Sequence, residues 1–466
     1  MRQAVPYFAG IPCPMDPFSP TEIRLSRLRV SNLHSIGGLD VPLLPLTVLV
    51  GPNGSGKSNV VDALRLLRDC LTRGLDQALL DRNGLNALRR WTPGGRPLDV
   101  GLGVTAAVGE NPTDFVAYDF TLAADARLGH TVKREELHLH VTGQPTYRII
   151  RQAGSVSLRR NGRICAPEEE PGARKLAPSN QLLGPQALYN LMSSFPATHA
   201  PIGGRRGRER GHGMPEFYLH YDLVANFQQL VSGALFYTLQ PAQLRAPQQV
   251  VREMPFDEAG QNLAAVLRQI RRTRRPAAEV QATLRRLVSD IADFSVESAG
   301  SFLVAYLHYQ NAAGRIRKAD LGLESDGTLR VLGILAALYQ ASPPAPTDDP
   351  FGPPGPAYVR RPLLTIEEPE VNVHPGMLAV LAGLFVEASS HKHLLLTTHS
   401  PDLLDYLPPE SFLVVEKEDG ETRVGPLAAD QVETVRQQLF TTGELLRTEG
   451  LHRQNPALVP PPPTPA

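Results

Sequence analysis

Residues 51–58 read GPNGSGKS and fit the phosphate-binding loop pattern G-x-x-x-x-G-K-[ST] at every fixed position. In such a loop Gly51, Gly54 and Gly56 let the backbone fold around phosphates, Lys57 meets the β- and γ-phosphate charge, and Ser58 can ligate Mg²⁺. Asn53, Ser55 and Asn59 complete the candidate nucleotide-binding set. Upstream, LTVLV at 46–50 reads as a buried strand, and IRLSRLRV from Ile23 as another. Downstream, Val60, Leu64, Leu67 and Leu71 fall on one face of a helix that should pack on the sheet. Strand, glycine loop and helix N-terminus stand in the order that aims free N–H groups at an anion.

The 466 residues allow two or three lobes, and 42% hydrophobic with 20% charged residues describes an ordinary folded protein. Net charge is zero, yet residues 101–320 carry 26 Lys and Arg against 20 Asp and Glu. That surplus fits a solvated surface or a weak phosphate-contacting patch. Cys13, Cys70 and Cys165 form no C-x-x-C pair, so neither a disulfide framework nor a zinc site is indicated. No apolar run reaches the ~18 residues of a spanning helix. A soluble, cytoplasmic chain without membrane contact is expected.

Composition and periodicity divide the chain into six parts: a loose extension (1–20), the first part of a nucleotide-binding head (21–97), an antiparallel β lobe (98–255), a helical arm (256–300), the rest of the head (301–450) and a disordered tail (451–466). The β lobe includes GGRRGRERGHG at 203–213, expected to be a mobile loop. The arm's arginines, among them Arg268, Arg271 and Arg275, lie off its apolar stripe. The expected fold class is α/β: a phosphate-binding-loop head with a flanking antiparallel β lobe and an inserted helical arm.

Three more motifs lie downstream. LLTIEE ends an apolar strand on Glu367 and Glu368, at the carboxyl edge where open α/β sheets bind ligands. Successive strand residues point to opposite sides, so Glu367 is assigned to the Mg²⁺ shell and Glu368 to orienting or deprotonating the attacking water. An exposed acidic turn is the bland alternative. His399 closes the strand in TTHS, where its imidazole can bond the γ-phosphate or the water, or be merely structural. ESDGT places Ser325, Asp326 and Gly327 at the start of an apolar helix, either as a plain N-cap or as an anion-facing terminus.

Taken in order, GPNGSGKSN, ESDGTLR, LLTIEEPE with VNVHP, and TTHS resemble the motifs of ABC-type AAA-family ATPase heads of the RecF, SMC and OLD (overcoming-lysogenization-defect) group. The resemblance implies ATP hydrolysis, slow here because Glu367 replaces the commoner aspartate, with ATP as substrate and Mg²⁺ as cofactor. It also implies a homodimer sandwiching two ATP molecules. Ser325, Asp326 and Gly327 would then act in trans, Asn372 to Pro375 would face the partner, and Glu368 and His399 would be catalytic. A glutamine bridging metal and nucleophile is implied as well, with Gln77 the candidate. The absence of long heptads and a C-x-x-C hook separates the chain from coiled-coil members. The 310 residues between Lys57 and Glu367 speak against a compact ring-forming motor. Only 66 residues follow Ser400, so the Toprim nuclease domain of many OLD proteins is expected on a separate polypeptide. The implied process is DNA repair or phage defence with a separate effector, with DNA as a possible ligand. The alternative is a non-catalytic ATP-dependent scaffold or sensor that recruits a nuclease.

Overall fold

A computed structural model describes residues 21–92, 98–152, 155–165, 180–190, 215–249, 255–288, 290–340 and 358–454. The extension 1–20, the segment 203–213 and the proline-rich end lie outside them. The chain begins with an antiparallel pair, β1 (Thr21–Leu33) and β2 (Ile36–Pro42), followed by β3 (Leu46–Val50), the glycine loop and α1 (Lys57–Thr72). Short helices α2 (Leu75–Leu80) and α3 (Leu85–Leu88) lead to the meander β4 (Val100–Val108), β5 (Phe115–Ala123), β6 (Thr131–His140), β7 (Tyr147–Gln152), β8 (Ser155–Arg160) and β9 (Arg163–Cys165). Helices α4 (Gly184–Asn190) and α5 (Pro215–Ser232) return the chain to β10 (Leu235–Tyr237).

The chain then runs through α6 (Pro241–Leu244) and β11 (Gln248–Gln249) into the arm's helices α7 (Leu263–Arg272) and α8 (Arg274–Leu287). The arm closes with β12 (Ile291–Ala299), β13 (Phe302–Gln310) and β14 (Ile316–Asp320), which with β11 form a separate four-stranded sheet. Within 256–300, therefore, helix gives way to strand after Leu287. The head resumes at α9 (Asp326–Tyr339), β15 (Tyr358–Arg360), β16 (Leu363–Glu367), α10 (Pro375–Ser389), β17 (His393–Thr398) and α11 (Pro401–Leu404). It ends in β18 (Phe412–Glu418), β19 (Glu421–Pro426), α12 (Ala429–Arg436) and α13 (Thr442–Thr448). The tail expected to be loose from residue 451 stays attached through Arg453: Leu451 is buried, and Leu427 bridges Arg453.

One sheet carries the head. Its order is β10-β16-β17-β3-β18-β19-β2-β1-β4, continuing through the meander to β9, and β10 to β18 run parallel. The parallel strands are covered on both faces, which is why they read as unbroken apolar runs. Leu49, Leu363, Leu395 and Leu413 face a core shared with α1 and α5, while Val48, Val50, Ile366, Leu396 and Val414 face one shared with α9 and α10. On α1, Val60, Leu64 and Leu67 are buried in the first of these cores, and Leu71 packs against it. The arm's arginines behave as a solvated, paired face, with Arg271 on Asp293 and Arg275 on Glu279.

His393, at the start of β17, is 1% exposed. Burial pushes its pKa down to about 4, opposed by the Leu44 backbone and reinforced by Arg24 and Arg361. The unfolded chain therefore takes up a proton near pH 6.5 while the folded chain resists it to about 4, so this stability is fully present above about 6.5 and about 3 kcal/mol of it is lost as the pH drops to 4. A His393→Leu variant should lose that part of the slope in denaturant titrations between pH 7 and 4.

Candidate active site

Chain direction and sheet register build this site. Val50 of β3 lies opposite Thr398 of β17, and Thr397 lies opposite Glu367 of β16. Three parallel strands thus end level and release the glycine loop, His399 and Glu368 at one edge, where open α/β sheets bind ligands.

The loop is pinned from behind. A Cβ on Gly51 would lie 2.2 Å from the Val415 carbonyl oxygen, and one on Gly56 would lie 2.1 Å from Thr422 Oγ1. Gly54 and Gly56 also have φ of 78° and 110°, which favour glycine. Thr422 Oγ1 donates to the Ser55 carbonyl at 2.8 Å and shares a 2.6 Å bond with Ser35, whose Oγ accepts from Asn59 Nδ2 at 2.6 Å. Asn53, Gly54 and Ser58 are exposed, and Ser55 is buried. A helix beginning at Lys57 has no intrahelical acceptors for its first N–H groups. Lys57 Nζ donates to the carbonyls of Gly51 (2.7 Å) and Pro52 (3.0 Å). Burial lowers its pKa, and the charges of Glu368 and Glu370 oppose that.

The two strand-end carboxylates take different partners. Glu367 Oε1 accepts from Thr238 Oγ1 at 3.0 Å and from Arg65 Nη2 at 3.4 Å. Glu368 has φ of 46°, and its Oε1 lies 3.2 Å from His399 Nδ1. Its backbone is held at both ends: the N–H donates to the Thr397 carbonyl at 2.9 Å, and the carbonyl accepts from Arg330 Nη2 at 2.6 Å. Ser58 and Glu367 are hard oxygen donors of the kind Mg²⁺ uses, one or two carboxylates with the rest from phosphate and water. Among the described residues no three His, Cys, Asp or Glu side chains form a metal cluster.

The ESDGT residues lie elsewhere in the chain's contacts. Ser325 caps α9, its Oγ accepting from Thr328 N at 3.2 Å. Asp326 pairs with Arg245 at 2.7 Å, and a Cβ on Gly327 would meet the Asn372 carbonyl at 2.4 Å. Gln77 sits on α2, beyond the far end of α1, with its amide on Asp81. A 16-residue helix is ~24 Å long, which removes Gln77 from the loop at its other end. The segment after β10, adjacent to β16, instead brings Thr238 to Glu367 and leaves Gln240 exposed.

Sequence reasoning missed several residues. Arg330 is 6% exposed and also donates to the Leu239 carbonyl (2.5 Å) and the Glu367 carbonyl (3.2 Å). Burial lowers its pKa, opposed by Glu370 and Glu368. One arginine in an otherwise apolar helix was the available signal. Arg65, Thr238 and Thr422 carried none, since nothing local marks them.

A glycine loop between strand and helix, with carboxylates at the end of a parallel strand one place removed in the same sheet, defines a P-loop NTPase head. The model of the family described as "AAA domain, putative AbiEii toxin, Type IV TA system" matches residues 46–405, and the chain belongs to that family of AAA ATPases. A curated relative, an OLD nuclease from Thermus scotoductus, is 46% identical over 43 residues, 9% of this chain and 8% of that protein. The chain thus matches only a small part of that relative's length. Among solved structures, the SMC head domain from Thermotoga maritima superposes with a TM-score of 0.41 at 12% identity, over 86% of this chain and 98% of that one. An SMC head of Pyrococcus furiosus bound to the C-terminal domain of ScpA gives 0.42 at 13%, over 90% and 99%.

Replacing Arg330 by leucine strands the buried carbonyl of Leu239 and the part-buried carbonyls of Glu367 and Glu368. The expected loss is about 3 kcal/mol, since each unsatisfied group costs roughly 1–3 kcal/mol with partial relaxation. Urea unfolding of the variant against wild type measures it.

Proposed function

We propose that the chain binds ATP at Gly51–Asn59, hydrolyses it slowly, and pairs with a second copy through the bound nucleotide. The observation that carries this reading is the common edge of β3, β17 and β16, from which Lys57, His399, Glu367 and Glu368 emerge together. The loop N–H groups and Lys57 bind and orient the phosphates. Ser58 and Glu367 would hold Mg²⁺, which neutralises charge on the phosphate oxygens when bound. Glu368 takes the proton of the attacking water, and His399 holds that carboxylate in place. To hold the metal, Glu367 would have to leave Arg65 and Thr238, a rearrangement that favours slow turnover.

Ser325, Asp326 and Gly327, at the N-terminus of α9, would face the partner's nucleotide. No described helix is long and apolar enough to cross a membrane, and a cytoplasmic setting is our reading. Of the processes considered, repair and phage defence, the toxin–antitoxin wording of the family description favours defence, with a separate effector.

Lys57→Ala should abolish steady-state ATP hydrolysis, and hydrolysis at the wild-type rate would sink the site. Glu368→Gln should bind ATP and accumulate as a dimer in sedimentation velocity. A monomer at saturating ATP would rule out the sandwich.

A further inference from the structure

Glu370 is a carboxylate beneath the proposed site to which no role has been given. It is 8% exposed, and Thr398, the last residue of β17, is 0% exposed. An ionisable group so placed is costly unless bonded. Thr398 Oγ1 donates to Glu370 Oε1 at 2.6 Å and accepts from Ser400 N at 3.0 Å. A hydroxyl has one proton, so its use toward Glu370 leaves a lone pair for the Ser400 N–H. The two bonds close a turn whose enclosed residue is His399, and the other carboxylate oxygen of Glu370, Oε2, is buried without a hydrogen-bond partner. On its other side Glu370 is tied to the next turn, its carbonyl accepting from Val373 N at 3.0 Å. Its charge is felt by both buried cations of the site, Lys57 and Arg330.

We propose that Glu370 is a positioning residue of the nucleotide site: through Thr398 it fixes the backbone on both sides of His399 and so sets the imidazole against Glu368. The proposal rests on the ATPase reading above. Mere filling of space would not use a carboxylate, because a buried acid is held against its desolvation cost only by what it bonds. Burial indeed raises the Glu370 pKa, with the Thr398 bond opposing the rise. Toward Thr398, Glu370 acts as a hydrogen-bond acceptor, a property glutamine keeps and alanine lacks.

The test is a double-mutant cycle in steady-state ATP hydrolysis by the full chain. Glu370→Ala and Thr398→Val should each lower kcat by about 10- to 100-fold, the cost of a small misplacement of a reacting group. KM should stay within about twofold, because phosphate binding is left to the loop. The double variant should be no slower than the worse single one, whereas independent roles would add. Thr398→Ser and Glu370→Gln should recover most of the lost rate. Thr398→Val keeps the side-chain shape and carries the test if Glu370→Ala fails to fold. Wild-type kcat in a folded Thr398→Val protein, additive losses, or a change in KM alone would overturn the proposal. If Lys57→Ala is inactive while these variants run at full rate, only the positioning role fails. If Lys57→Ala itself hydrolyses ATP normally, the site reading fails first.

Discussion

The levelling of three parallel strand ends, Val50, Thr398 and Glu367, is the constraint on which the rest of the site depends. Side chains alternate along a strand, so a slip of one residue would turn Glu367 to the opposite face and move Thr398 out of line with the loop. The register is held by burial on both faces. Leu394 and Leu396 oppose Leu46 and Val48 over one core, and Leu395 looks into the other. The geometry of a phosphate site is thus fixed by apolar packing several residues away from any charged group.

At the strand ends the physics changes from packing to charge compensation. Lys57 and Arg330 are both buried and both have lowered pKa values, which removing a cation from water produces. Each is countered by Glu368 and Glu370, and Glu370, itself buried, is raised. Two cations and two carboxylates thus support one another under the site. Arg330 adds direction to this balance by donating to the carbonyls of Leu239, Glu367 and Glu368, which joins α9 to the segment after β10 and to the end of β16. The positive φ of Glu368 persists because that backbone is bonded at both ends.

What the sequence revealed follows from which forces are local. The glycine loop was legible because positive φ favours glycine at Gly54 and Gly56, a property of the local backbone. The strands at 46–50, 363–367 and 393–398 were legible because double-sided burial leaves an apolar run. By contrast, Thr422 reaches the loop from 367 positions away, and Arg65 reaches Glu367 across 302. A threonine on a hairpin and an arginine on a helix look the same with or without such a partner. Gln77 illustrates the cost of guessing by proximity in sequence: it follows the loop closely but leaves along α1, while Thr238, far off in sequence, returns through β10 beside β16.

The length of the Glu367 side chain has a physical consequence at the strand end. The longer side chain reaches past the strand end to Thr238 and Arg65, and Arg65 in turn lies 3.4 Å from Glu258. The same arginine therefore holds two carboxylates at once, one at the strand end through Nη2 and one at the start of the arm through Nε. Arg245, from the same segment, holds Asp326 and the Glu324 carbonyl at the start of α9. The stretch from Thr238 to Arg245 thus touches both the strand-end carboxylate and the helix cap.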